Sequence, residues 1–167
     1  LNISLFRQIL SSTKWQNDIF TLSPQKQDWL LHQGSLTRKL QQYCQQLKVE
    51  IVAEKWVSDM SFGFTGHHEP IWLREVILKG DEQAWIFAQT RLPQSTIENV
   101  APDIINVGST PIGLWLFPQQ PKRKTLEWIY DTATGLYARR SVLLLNQYPI
   151  EIKELFLQDF KFFQSKV

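Results

Sequence analysis

Ile71-Trp72-Leu73-Arg74-Glu75-Val76-Ile77-Leu78, then Lys79-Gly80-Asp81-Glu82, then Trp85-Ile86-Phe87-Ala88-Gln89-Thr90-Arg91-Leu92 is the stretch on which the fold turns. Two runs rich in β-branched and aromatic residues flank a short polar link that contains glycine, and so short a link joins antiparallel strands. The arrangement recurs near the end of the chain, where Asn146-Gln147-Tyr148-Pro149 separates a run at 136–145 from one at 150–157. Runs at 49–57 and 126–130 bring the strand count to six.

Helical signals fall between and before these strands. Ser23-Pro24 supplies a cap and a first-position proline for a helix carrying Trp29, Leu30 and Leu31 up to Gly34. Ser35 caps a second helix, in which Leu36, Leu40, Tyr43 and Leu47 recur at helical spacing with Cys44 beside them as core packing. The long 93–124 connection contains Thr110-Pro111, which opens a short apolar helix through Leu116, and connections of this length often form lids or binding elements. The expected architecture is α+β: one domain over 1–167, a single six-stranded antiparallel sheet with helices on one face, and helical flaps covering an internal ligand site.

Composition narrows the function classes. With 43% hydrophobic and 13% aromatic residues, seven of them tryptophan, the 167-residue chain can build a substantial core. A net charge of +2 with both signs interspersed supplies no basic stripe, so nucleic acid is not an expected partner. One cysteine fits a reducing compartment, no apolar run approaches the roughly 20 residues of a membrane span, and the polar residues among 1–10 do not form a signal-peptide core. These features point to a cytoplasmic protein, expected as a monomer.

Two charges stand inside apolar segments, where an ion is costly to bury. In Ile150-Glu151-Ile152-Lys153-Glu154-Leu155-Phe156-Leu157, the period-two count places Glu154 with Ile150, Ile152 and Phe156. In the first strand of the opening stretch, Arg74 shares a face with Trp72, Val76 and Leu78, whereas Glu75 goes with Leu73 and Ile77; either can be the buried charge, and Arg74 has the larger apolar company. Two readings are open. The ions pair with each other or with other strand charges, as buried ions normally do, or they line a dry pocket that holds an anionic small molecule.

Other candidate motifs fail on chemistry. Gly108-Ser109-Thr110-Pro111-Ile112-Gly113 has the glycine spacing of a phosphate loop, but Leu114 and Trp115 stand where Lys and Ser or Thr are required. His67-His68-Glu69 matches no usual metal-ligand spacing and His32 is isolated, so no metal is expected. No serine or cysteine has a nucleophile-elbow context. Two helix starts, Ser35-Leu36-Thr37 and Thr110-Pro111-Ile112-Gly113, offer free backbone amides that suit a carboxylate, and a functional role for them requires that both converge on Arg74.

Across nearly its whole length the chain resembles the bacterial chorismate pyruvate-lyases. The resemblance is carried by Asp28-Trp29-Leu30-Leu31 with Ser35-Leu36-Thr37-Arg38, by Trp72-Leu73-Arg74-Glu75-Val76, by Pro93 with Ser95-Thr96, by Thr110-Pro111-Ile112-Gly113, by Gly135-Leu136-Tyr137 with Arg139-Arg140-Ser141, and by Glu154-Leu155-Phe156-Leu157. It implies a cofactor-free lyase that converts chorismate to 4-hydroxybenzoate and pyruvate at the entry to ubiquinone synthesis; an enclosed site that grips so flat an acid is expected to release it slowly, which predicts product inhibition. It also implies that Arg74 grips the ring carboxylate, that Leu36 and Ile112 lie against the ligand with their backbone amides in play, and that Glu154 meets the ring hydroxyl; Arg74 and Glu154 are the implied catalytic pair. Some relatives carry arginine in a G-R-T sequence where this chain has Ala88-Gln89-Thr90, which leaves Arg91, Arg139 and Arg140 as candidates for the enolpyruvyl carboxylate. The competing class is a non-catalytic, small-ligand-binding effector domain of regulators that resemble the same fold. Such domains usually follow a helix-turn-helix, for which the roughly twenty residues before the first expected helix leave no room.

Overall fold

The computed structural model describes residues 1–61 and 68–164. Six strands form one antiparallel sheet: β1 (Leu47–Ser61), β2 (His68–Gly80), β3 (Gln83–Pro93), β4 (Lys122–Tyr130), β5 (Tyr137–Leu145) and β6 (Tyr148–Phe156), in the order β1-β2-β3-β6-β5-β4. Both short links are two-residue hairpins. Asp81 and Glu82 have φ of 48° and 71°, as do Asn146 and Gln147, the left-handed pair that matches the twist of the flanking strands. Gly80 is required by packing, since a Cβ there would lie 2.3 Å from the Trp85 ring.

The strand order dictates where the long connection runs. From β3 in the middle of the sheet, the chain must pass over β6 and β5 to reach β4 at the edge, about 14 Å away at ordinary strand spacing. It crosses one face through α4 (Gln94–Val100) and α5 (Ile112–Leu116), and α2 (Pro24–Leu30) and α3 (Leu36–Gln41) cover the rest of that face. The Thr96 hydroxyl, buried in α4, fastens the crossing by donating to the Pro149 carbonyl at 2.8 Å.

Two features differ from the sequence reading. The stripe ending at Leu47 outruns its helix, because Asp81 of the β2–β3 turn accepts from the amides of Gln45 and Gln46 at 3.0 and 2.9 Å and Leu47 begins β1 opposite Gly80. The N-terminal residues contain α1 (Ile3–Leu10), capped by Asn2, which lays Phe6, Ile9 and Leu10 on the opposite face of the sheet against Ile77, Phe87 and Leu155. The sequence carries the matching i, i+3, i+4 spacing.

Among the described residues no helix is long and apolar enough to cross a membrane, and no cluster of His, Cys, Asp and Glu is arranged to hold a metal. His67 of the His67-His68-Glu69 run lies outside the described residues.

Candidate functional site

Between the sheet and its helical cover lies a chamber. Its floor is Arg74, Val76 and Leu78 of β2, Ala88 and Thr90 of β3, Ile152 and Glu154 of β6, and Arg139, Ser141 and Leu143 of β5. Its roof is Leu36 and Thr37 at the start of α3, with Pro111, Ile112 and Gly113 at the start of α5; Phe117 and Arg123 complete the wall. Little of the space within these walls admits even a water molecule. The space is narrow, so a ring-sized guest must part the roof from the floor.

The two helix starts converge as a ligand site would need. A Cβ on Gly113 would sit 2.8 Å from Thr37 Oγ1 and 3.3 Å from Ser35 Oγ, so the missing side chain is what lets α5 meet α3. Arg74 Nη2 donates to the Thr110 carbonyl at 3.0 Å, tying the guanidinium to the turn that opens α5.

Arg74 is 2% exposed and Glu154 is 8% exposed. Each is paired, though not with the other: Arg74 Nη1 pairs with Glu54 directly across β1, and Arg139 Nε donates to Glu154 Oε1 at 2.8 Å. The pairing reading of the buried charges holds, with other strand charges as the partners, and the paired ions also line the chamber. Arg74 pairs with Thr90, and Thr90 with Ile152, whereas Glu154 lies one pair further along β6. That register places the two α-carbons about 10 Å apart across the strands and about 7 Å along them. Glu75 is buried too, at 1%, on the other face beneath α1, where Arg7 and Gln89 bind its carboxylate.

Of the three cations considered for a second carboxylate, only Arg139 lines the chamber. Arg91 and Arg140 project from the far face, where they pair with Glu151 and Glu127; their odd-even position in the strand excludes them. Arg139 also donates to the His32 carbonyl at 2.7 Å, which pins the α2–α3 loop to the floor.

Arg123, which lines the chamber, and Glu54, which pairs with Arg74 beside it, were not visible in the sequence pattern, and β-bulges deliver both. Counting by twos from Val49, which faces Leu78, puts Glu54 on the far face; the bulge between Ile51 and Ala53 inverts the count and brings it beside Arg74. Counting back from Trp128 puts Arg123 on the far face; the bulge between Arg123 and Thr125 turns it into the chamber opposite Leu143. Burial, and then the Arg139 guanidinium, pull the Arg123 guanidinium down to about 10, with Glu154 opposing, so Arg123 stays charged at neutral pH. His32 is held below its usual value by burial first, then by Lys39 and Arg139.

A wider cleft lies between α1, the start of β5 and residues 156–162, lined by Phe6, Tyr137, Phe156, Phe160 and Phe162. Its charged side chains are Lys26, half-buried, and Asp159, exposed. The smaller chamber is the candidate site because buried, oriented ions converge there.

The family model described as chorismate lyase matches residues 9–167. A chorismate pyruvate-lyase of Pectobacterium carotovorum subsp. carotovorum is 39% identical over 137 residues, covering 79% of this chain and 76% of the relative. A probable chorismate pyruvate-lyase of Vibrio vulnificus is 36% identical over 165 residues, covering 93% and 92%. Among solved structures, PhnF from Mycobacterium smegmatis superposes with a TM-score of 0.58 at 13% identity, covering 99% of this chain and 83% of that one, a likeness of fold.

Proposed function

This chain belongs to the chorismate lyase family, and we propose that the closed chamber is where it converts chorismate to 4-hydroxybenzoate and pyruvate. One observation carries the assignment of the site. A buried guanidinium and a buried carboxylate stand at separate places in one narrow chamber, each fixed by a partner of its own.

In this reading Arg74 takes the ring carboxylate. Glu54 and the Thr110 carbonyl set the plane of its guanidinium, and the Ile112 amide at the start of α5 adds a donor. Leu36 closes the ring's other side from α3. Glu154 accepts the ring hydroxyl with the oxygen that Arg139 leaves open, and Arg139 prevents the carboxylate from swinging away. The reaction breaks the ring C–H beside the ether carbon and the ether C–O bond. The C–H pair becomes the ring π bond that completes aromaticity, and the C–O pair leaves with enolpyruvate, which takes up a proton and becomes pyruvate. No net oxidation occurs and aromatisation supplies the driving force, so the protein's work is orientation and charge placement. In this reading Glu154, held in place by Arg139, acts by binding. One chain completes the site, in keeping with a cytoplasmic monomer that feeds ubiquinone synthesis.

Incubation with chorismate, following 4-hydroxybenzoate by absorbance and pyruvate by a coupled assay, tests this reading. Equal amounts of both products are expected. A flat trace from folded protein would move the chain to the non-catalytic, ligand-binding class.

A further inference from the structure

We propose that Arg123 is the residue that receives the substrate's second carboxylate, the one on the arm beside the ring hydroxyl. The inference rests on the chamber being the chorismate site and adds a contact to it.

Among the described residues three guanidiniums, Arg74, Arg123 and Arg139, line the chamber, and two carboxylates, Glu54 and Glu154, pair with two of them. Arg74 has Glu54 and Arg139 has Glu154, whereas the partners of Arg123 are both neutral: Nη1 donates to Ser141 Oγ at 2.6 Å and Nη2 to the Gln33 carbonyl at 3.0 Å. Its Nε–H is buried and meets no acceptor among the described residues. An unmatched buried donor on a charged group is costly, and a carboxylate bound sideways at Nε and Nη would relieve it, that being the bidentate geometry for which arginine is suited. Of the three, Arg123 is the guanidinium whose partners among the described residues include no anion, so it is the one placed to take a further carboxylate.

Position selects which carboxylate. Arg74 on β2 and Arg123 on β4 are four strands apart, about 19 Å between backbones, so one carboxylate cannot serve both. In strand order Glu154 on β6 and Arg139 on β5 lie between them, with Ser141, the partner of Arg123, level with Arg74 along the strands. With the ring carboxylate on Arg74 and the ring hydroxyl on Glu154, the arm on the neighbouring ring carbon hangs toward β5 and β4, where Arg123 waits beside Ser141. Burial and the adjacent Arg139 already depress the Arg123 guanidinium, and a second anion at this spot offsets both effects.

Arg123 also tethers the α2–α3 loop through Gln33, so the test must separate contact from scaffolding. Two probes share the ring: 4-hydroxybenzoate, with one carboxylate, and 3-carboxymethoxy-4-hydroxybenzoate, a stable aromatic acid with an ether-linked carboxylate in the arm position. Calorimetry on wild type and Arg123→Gln should show the dicarboxylate weakened roughly tenfold to hundredfold, as for a lost charge-assisted bond, and the monocarboxylate changed by less than about twofold. Arg123→Lys, which keeps the charge and loses the fork, should show a smaller selective loss; it carries the test if the Gln variant fails to fold. Equal weakening of both probes, or of neither, overturns the assignment. Turnover of chorismate by wild type is scored separately: its absence sinks the lyase reading, whereas a normal turnover with unselective Arg123 variants sinks only this contact.

Discussion

Glu154→Gln separates two roles for the chamber's carboxylate by orders of magnitude. Glu154 Oε1 accepts from Arg139 Nε at 2.8 Å, leaving the other oxygen for the substrate hydroxyl. Glutamine keeps the shape and the acceptor facing Arg139, and it exchanges a charged hydrogen bond to the hydroxyl for a neutral one. Bonds to charged groups contribute about 1.5–3 kcal/mol and neutral ones about 0.5–1.5, so the loss is about 1.4 kcal/mol, or tenfold in affinity. Removal of a general base would instead cost roughly a hundredfold to ten-thousandfold in rate. Arg139 keeps the His32 carbonyl at 2.7 Å, so the fold should survive with a loss of about 1–3 kcal/mol, less than for outright removal of a buried partner. Initial rates against chorismate concentration, checked by thermal melting, should show KM raised about tenfold with kcat lowered by no more than about tenfold. A kcat collapse of a hundredfold or more at unchanged KM would refute the binding role and make Glu154 the base.

Gly113→Ala should raise KM several-fold, on the order of threefold to tenfold, because its Cβ meets Thr37 Oγ1 at 2.8 Å and shifts the start of α5; Thr37→Ala in the same chain should restore much of the loss. Glu54→Gln removes the anion that competes for Arg74, so 4-hydroxybenzoate should bind several-fold tighter by titration while the protein loses about 1–2 kcal/mol in denaturant unfolding, discounted for partial exposure of Glu54. His32 has a lowered folded value, so the unfolded chain binds more protons; this residue costs no stability above about pH 6.5 and an increasing amount as pH falls from there toward the folded value. Melting temperature against pH should therefore decline less steeply below that point in His32→Gln. The chamber is narrow beneath its helical roof, so product should leave slowly: progress curves should bend with micromolar 4-hydroxybenzoate, and curves indifferent to added product would contradict slow release.

The sequence exposed the parts of this molecule whose signals are local and periodic. Arg74 and Glu154 reach the chamber because β2 and β6 keep an uninterrupted alternation around them, which a count by twos follows. The roof was legible from Ser35 and from Thr110-Pro111, where capping and proline chemistry mark helix starts. Glu54 and Arg123 were hidden because each lies beyond a bulge, and one extra residue reverses the face of everything past it. For Arg123 only the pairing with Leu143 shows that the side chain turns inward. The end of α3 was illegible for a different reason: the groups that take over its last turn belong to Asp81, about forty residues away in the chain.

A structure of the protein with 4-hydroxybenzoate bound tests the central claim most directly. The account predicts one molecule in the chamber, its carboxylate within hydrogen-bond reach of the Arg74 guanidinium and its hydroxyl within reach of Glu154. A molecule lying the other way round, or seated in the cleft beside Tyr137 and Phe162 with the chamber closed, would contradict it.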